Sequence, residues 1–144
     1  MEKFAIRKAE RYFAQNETLI LPIIELMFLW NLFKLLKKNF QMAENVLKMI
    51  EKALRNLTYS VPLNKYDKDN RALLLLLKGA CLRQMASPLQ ALECLENSIS
   101  LQKEIVEDTY IIPYAIVELA LLEWDAGNKE KAILTLEDAK YVLL

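Results

Sequence analysis

Apolar residues return every three or four positions along most of this chain, the spacing of one face of a helix. Between Gln41 and Asn56 they fall at Val46, Leu47, Ile50 and Leu54. No run alternates Val, Ile and Thr at the two-residue period of a strand. Polar residues and breakers then divide the pattern into seven helices. The first spans Glu2 to Gln15, with Phe4 on one face and Arg7, Lys8 and Arg11 on others. A linker follows, in which Thr18 is a candidate cap. Pro22 suits the first turn of the second helix, where a missing N–H costs nothing. That helix reaches Lys38, and Lys34, Lys37 and Lys38 match the negative end of its dipole. Asn39 turns the chain into a third helix over 41–56.

The longest break is LTYSVPLNKYD, residues 57–67, where Pro62 pushes Val61 toward extended geometry. Asp67 or Asp69 is positioned to cap a fourth helix ending near Met85. Its run of five leucines predicts burial on nearly every side. Ser87 followed by Pro88 is a start signal for a fifth helix, reaching Glu107. Asp108 or Thr109 opens the sixth, with Pro113 in its first turn. Gly127 ends it as a left-handed cap, and the seventh follows Asn128.

Helices joined in short-loop pairs invite a search for repeats. Aligning Ala91 with Ala132 brings Gly79 opposite Ala120, Leu95 opposite Leu136, and Ser98 opposite Ala139. Small residues at such positions let paired helices approach closely. The spacing matches the tetratricopeptide repeat, and AGNKEKA, residues 126–132, matches its inter-helix loop. The units lie 41 residues apart where the repeat usually takes about 34. Lys78 and Glu123 also depart from the motif, with Trp124 displaced by one position. Trp30 and Ala43 give only an out-of-register hint of a third unit. The expected organisation is a single helical-repeat domain over 1–144. It holds an N-terminal helix (1–15), a degenerate hairpin (19–56) and two repeat hairpins (68–107 and 109–144).

Composition supports helices and removes most chemistry. The chain has 144 residues, only two glycines and four prolines, and 54% hydrophobic residues. Such a length suits one domain with a real core. There is no histidine, the usual general base and metal ligand. No glycine-rich phosphate loop is present. Cys81 and Cys94 lack a histidine partner for nucleophilic or zinc chemistry, and are expected as buried, reduced thiols. The carboxylates Asp67, Asp69, Glu107, Asp108, Glu137 and Asp138 are expected at caps or on solvated faces. The reading is therefore a non-enzyme without cofactor or metal.

Charge sums to zero but divides unevenly. Residues 1–72 carry 13 Lys+Arg against 8 Asp+Glu, and residues 73–144 carry 6 against 11. Head-to-tail attraction or a basic face for an acidic partner follows as an expectation. Nucleic acid is not an expected partner, since the basic residues are dispersed and pI is 6.4. The apolar run LILPIIELMFLWNLF, residues 19–33, is interrupted by Pro22, Glu25 and Asn31 and falls short of the ~20 residues a spanning helix needs. It reads as a buried helix; a membrane-surface contact through it and the following lysines is the weaker reading. Without a leader pattern or a spanning segment, the expected location is cytoplasmic.

The order of segments carries a family resemblance. KAERYF, then LPIIELMFLWNLF, then LLLLLKGACLRQMASPLQALECLENSI, then DTYIIPYAIVELALLEWDAGNKEKAILTLEDAK together resemble the C-terminal part of the tetratricopeptide repeat protein 39 family. YIIPYAIVELALL and KGACLRQ are the most specific parts. The resemblance implies an all-α, tetratricopeptide-like solenoid with a right-handed superhelix, acting through protein partners. Members of that family are longer, so the chain looks like a fragment or a minimal version. It stops at Leu144 within an apolar helical pattern, where a solenoid usually adds a polar cap.

In such arrays the first helix of each hairpin lines a concave face. By resemblance that face takes Leu73, Leu76, Leu77, Ala80, Arg83 and Gln84 from the fourth helix. The sixth adds Tyr114, Val117, Glu118, Leu121, Trp124 and Asp125. These residues are too apolar for a clamp on a C-terminal carboxylate. They suit a partner protein or an amphipathic helical peptide in an apolar groove. A homodimer through exposed apolar ends is the alternative. Trp30 and Trp124 read as core, or else as interface anchors.

Overall fold

The computed structural model describes residues 2–15, 18–59 and 64–143. Among these residues all the regular structure is helical, without a strand. The helices are α1 (Glu2–Ala14), α2 (Pro22–Leu29), α3 (Phe40–Tyr59), α4 (Asp67–Gln84), α5 (Pro88–Ser100), α6 (Ile111–Asp125) and α7 (Lys129–Leu143). Two 3-10 segments, Phe33–Lys38 and Gln102–Glu104, join α2 to α3 and follow α5. The extended geometry expected at Val61 lies outside the described residues. No helix among them is long and apolar enough to cross a membrane.

The second expected helix is in fact two elements. Asn31 adopts φ 59° and ends α2. The Asn31 N–H donates to the Phe28 carbonyl and the Leu32 N–H to that of Met27. This is a Schellman closure, with asparagine in the left-handed position. It turns Trp30 outward to 62% exposure instead of into the core. Phe33 and Leu36 re-enter the core from the 3-10 segment. Thr18 does not cap α2: its hydroxyl donates to the Gln15 carbonyl, and Leu21 takes the cap position. Asn39 caps α3 through its side-chain oxygen on the Met42 N–H, at 3.1 Å.

The leucine-rich α4 is the axis of the molecule. It packs against α2, α3, α5 and α6. Ala72, Leu73, Leu74, Leu76, Leu77, Ala80 and Cys81 are all buried along it. The α4–α5 hairpin closes tightly because Gly79 has no side chain. A Cβ there would lie 2.7 Å from Leu95 Cγ and Cδ2 and 3.3 Å from the Ala91 carbonyl. Ser98 clamps the same pair by donating to the Ala72 carbonyl at 2.8 Å. Ala91 and Ala132, Gly79 and Ala120, and Ser98 and Ala139 are buried as the repeat alignment expects; Leu95 is buried while Leu136 faces outward. The helix expected to reach Glu107 ends at Ser100, and a turn over 105–110 carries the extra length between the units.

A buried polar network fastens α1 to this core. Arg11 is almost fully buried and donates to the carboxylate of Asp108 and to the side-chain oxygen of Asn70. Lys8 lies 2.9 Å from Asp108 and 3.1 Å from Glu25. Asn70 donates in turn to Gln15 at 3.0 Å. Asp69 caps no helix of its own: its carboxylate accepts the backbone N–H groups of Val106, Glu107 and Asp108 at 2.8–2.9 Å. The carboxylates Asp69 and Asp108, expected at caps or on solvated faces, are therefore buried hubs, and α6 begins two residues later than expected, at Ile111. Phe4 packs edge-on against Tyr110, Tyr110 against Tyr114, and Tyr114 against Phe28, at centroid distances of 5.7–5.9 Å.

Candidate partner-binding face

The solvent-facing side of α6 is built from residues three to four positions apart, so they align in one stripe. Tyr114 (39% exposed), Leu121 (37%) and Trp124 (48%) project from it, and Val117 lies half-buried between them. The opposite side of the same helix buries Ile111, Ile112, Ala115, Ala120 and Leu122. The helix is thus apolar nearly all round, and among the described residues Leu121 and Trp124 on one apolar side stay open to solvent. That side is where a helix apolar all round calls for a further covering.

A charged edge fixes the stripe. Arg83, near the end of α4, holds Glu118 at 2.9 Å and Asp125 at 3.1 Å. The two carboxylates raise the Arg83 guanidinium pKa against the opposing effect of burial. Lys129 sits 5.2 Å over the Trp124 ring, holding the indole at the α6–α7 turn. Glu123 turns the other way, accepting from the Thr135 hydroxyl at 2.7 Å.

The candidate residues from α4 divide. Arg83 reaches the surface beside the stripe, and Gln84 is half-buried. Leu73, Leu76, Leu77 and Ala80 lie in the core instead, with at most 1% exposure. Trp124, which the pattern alone favoured as core, is a surface residue like Trp30.

Two features bear on other chemistry. Cys81 and Cys94 are free and buried. Burial pushes the Cys81 thiol up to about 11 and raises that of Cys94, which holds both away from the reactive thiolate. Among the described residues no group of three His, Cys, Asp or Glu side chains could hold a metal ion.

The network around Arg11 is the feature that the sequence pattern did not bring together. Its signals are charged residues set into apolar surroundings: Glu25 inside PIIELMFL, and Asp69 and Asn70 just before the leucine run. Burial raises the Glu25 pKa, against the pull of Lys8, and pushes the Tyr110 phenol up with Glu25 beside it.

The comparisons with known proteins agree with this architecture. The family model described as Iml2/Tetratricopeptide repeat protein 39 matches residues 1–85, which hold α1 to α4 and end at the α4–α5 turn. The chain is also similar to tetratricopeptide repeat protein ttc-39B of Caenorhabditis elegans, with 30% identity over 122 residues. That match takes in 85% of this chain and 20% of the relative, so the chain spans about a fifth of that protein's length. No solved structure matches it. With its first four helices matched as one block, the chain belongs to the Iml2/tetratricopeptide repeat protein 39 family.

Proposed function

We propose that this chain is a non-enzymatic protein-interaction module, and that the α6 stripe receives an amphipathic helix of a partner protein. Membership of a tetratricopeptide-repeat family supports the first part, since such repeats work through protein contacts and are generally non-catalytic. The observation that carries the second is the exposed row of Tyr114, Leu121 and Trp124 along one side of α6. Large aromatic side chains beside an ion pair provide the anchors and the polar rim of an interface. Leu73, Leu76 and Leu77 belong to the buried core of α4, the helix that α6 packs on, while Arg83, Val117 and Asp125 complete the edge of the stripe. An apolar helix face fits such a row by its own three- and four-residue spacing.

Site-specific photo-crosslinking tests the reading. A photoreactive phenylalanine at Tyr114 or Leu121 should capture one partner protein, and the same group at Lys48, on the exposed side of α3, should not. Trp124→Ala with Leu121→Ala should remove the capture while thermal unfolding stays close to that of the parent. Equal capture from Lys48 would end the proposal.

A second reading, assembly with a further copy, is favoured by one observation: Ile133, Leu134 and Leu136 leave α7 with an exposed apolar side. It places self-association on α7 and leaves α6 free.

A further inference from the structure

The connector between α2 and α3 leaves positive charge uncompensated. Sequence spacing places Lys34, Lys37 and Lys38 at the negative end of a long second helix, but α2 ends at Leu29. The three lysines lie instead just before the N-terminus of the 20-residue α3, and that end of a helix dipole is itself positive. All three are exposed, and none is in an ion pair with a described residue. No Asp or Glu occurs from Leu26 to Ala43. The whole chain is neutral, so this stretch is a local basic patch and not a share of a general charge.

Large apolar side chains stand out among these lysines. A 3-10 helix repeats every three residues. Phe33 and Leu36 form its buried row, so Lys34 with Lys37, and Leu35 with Lys38, form the two rows beside it. The six residues span only about 12 Å. Leu35 is 54% exposed, Trp30 before the segment 62%, and Phe40 after it 67%. Side chains exposed by more than half project from the surface and line no groove, which suits a flat partner better than an inserted helix. Interfacial binding to a bilayer grows with the apolar area inserted and with attraction of Lys and Arg to anionic lipid, and tryptophan favours the headgroup level.

We propose that this connector docks on an anionic membrane surface, with Lys34, Lys37 and Lys38 at the lipid headgroups and Trp30, Leu35 and Phe40 in the interface. The contact shares no residue with the α6 stripe and does not rest on its role.

The test uses the full chain with unilamellar vesicles of phosphatidylcholine alone, or of phosphatidylcholine with phosphatidylserine. Co-sedimentation with the anionic vesicles is expected, weakening as salt rises, with far less on the neutral ones. Each lysine near such a surface contributes about fivefold, so Lys37→Gln with Lys38→Gln should weaken binding at least about tenfold. Lys103→Gln with Lys140→Gln makes the same charge change at exposed positions elsewhere and should alter binding far less. Trp124→Phe leaves Trp30 as the single tryptophan, and its emission should shift to the blue on the anionic vesicles. In Trp30→Phe the remaining Trp124 should show no shift. Every substituted side chain is exposed, so these variants should keep the parent's thermal unfolding. No binding to anionic vesicles, binding that survives the change at Lys37 and Lys38, or binding without a shift at Trp30 would overturn the proposal. The last of these would leave the lysines to an acidic protein partner.

Discussion

Gly79 is the residue on which the α4–α5 hairpin turns. Alanine there would gain about 1 kcal/mol of helix propensity. It would also drive a methyl group into Leu95, which is fully buried. Overpacking costs about 1–3 kcal/mol, and an approach of 2.7 Å puts this case in the upper half of that range, so Gly79→Ala should destabilise by a net ~1–2 kcal/mol and lower the urea midpoint. Adding Leu95→Ala should then cost less than it does alone, because the two changes share one space. Glu25 yields a prediction with a definite sign. Burial raises its pKa above the ordinary 4.5 in the folded chain, so folding favours the neutral carboxyl. Below 4.5 the group is neutral in both states and Glu25→Gln should match the parent. As pH rises through the folded value, the parent alone must bury a charge, and the variant should become the more stable of the two. Urea midpoints taken from acid to neutral pH check this; a gap that closed toward neutral pH would refute it. The two residues also differ in how legible they were. Gly79 stands at a small position of a repeat and could be read from spacing. Glu25 could be read only as an interruption of an apolar run, because the Lys8 that meets it comes from a different helix.

At the scale of elements, the ends marked by rigid or permissive residues were readable. Pro22 and Pro88 open α2 and α5 at their expected positions, and Gly127 closes α6 at φ 87°. The break after α2 was not readable, because Asn31 looks like one polar position in a continuing helix and Phe33 and Leu36 prolong the apolar pattern. The attachment of α1 was equally hidden: Arg11 meets Asp108 across 97 positions, beyond any local periodicity. That attachment predicts a separable element. Removing one member of a buried pair costs about 3–5 kcal/mol because the other charge is stranded. Lys8 remains beside Asp108, so Arg11→Met should fall at the lower end, about 3 kcal/mol. Hydrogen exchange should then accelerate in α1 and over Val106–Tyr110, where Asp69 and Asp108 hold the turn, before it does in the centre of α4. Simultaneous loss of protection through α4 would instead make α1 part of the cooperative core.

For the whole molecule, the opposite net charges of the two halves suggested attraction between copies. The folded chain answers that charge internally. Lys8 and Arg11 of the basic half pair with Asp108 of the acidic half, and Lys68 lies 3.8 Å from Glu104. These contacts reduce the field left over to draw two copies together, and what remains is screened within about 10 Å at ordinary salt. Apolar side chains also stay uncovered, among them the α6 stripe and Ile133, Leu134 and Leu136 on α7. Apolar contacts between proteins are not weakened by added salt in the way that exposed ion pairs are. The mass measured by light scattering on an eluting peak should therefore be the same at low and high salt. A mass that fell as salt rose would show that charge, not apolar surface, joins the copies. If the mass exceeds that of one chain, Leu134→Lys should reduce it, because it puts a charge on the α7 side while leaving Tyr114, Leu121 and Trp124 in place for a different protein.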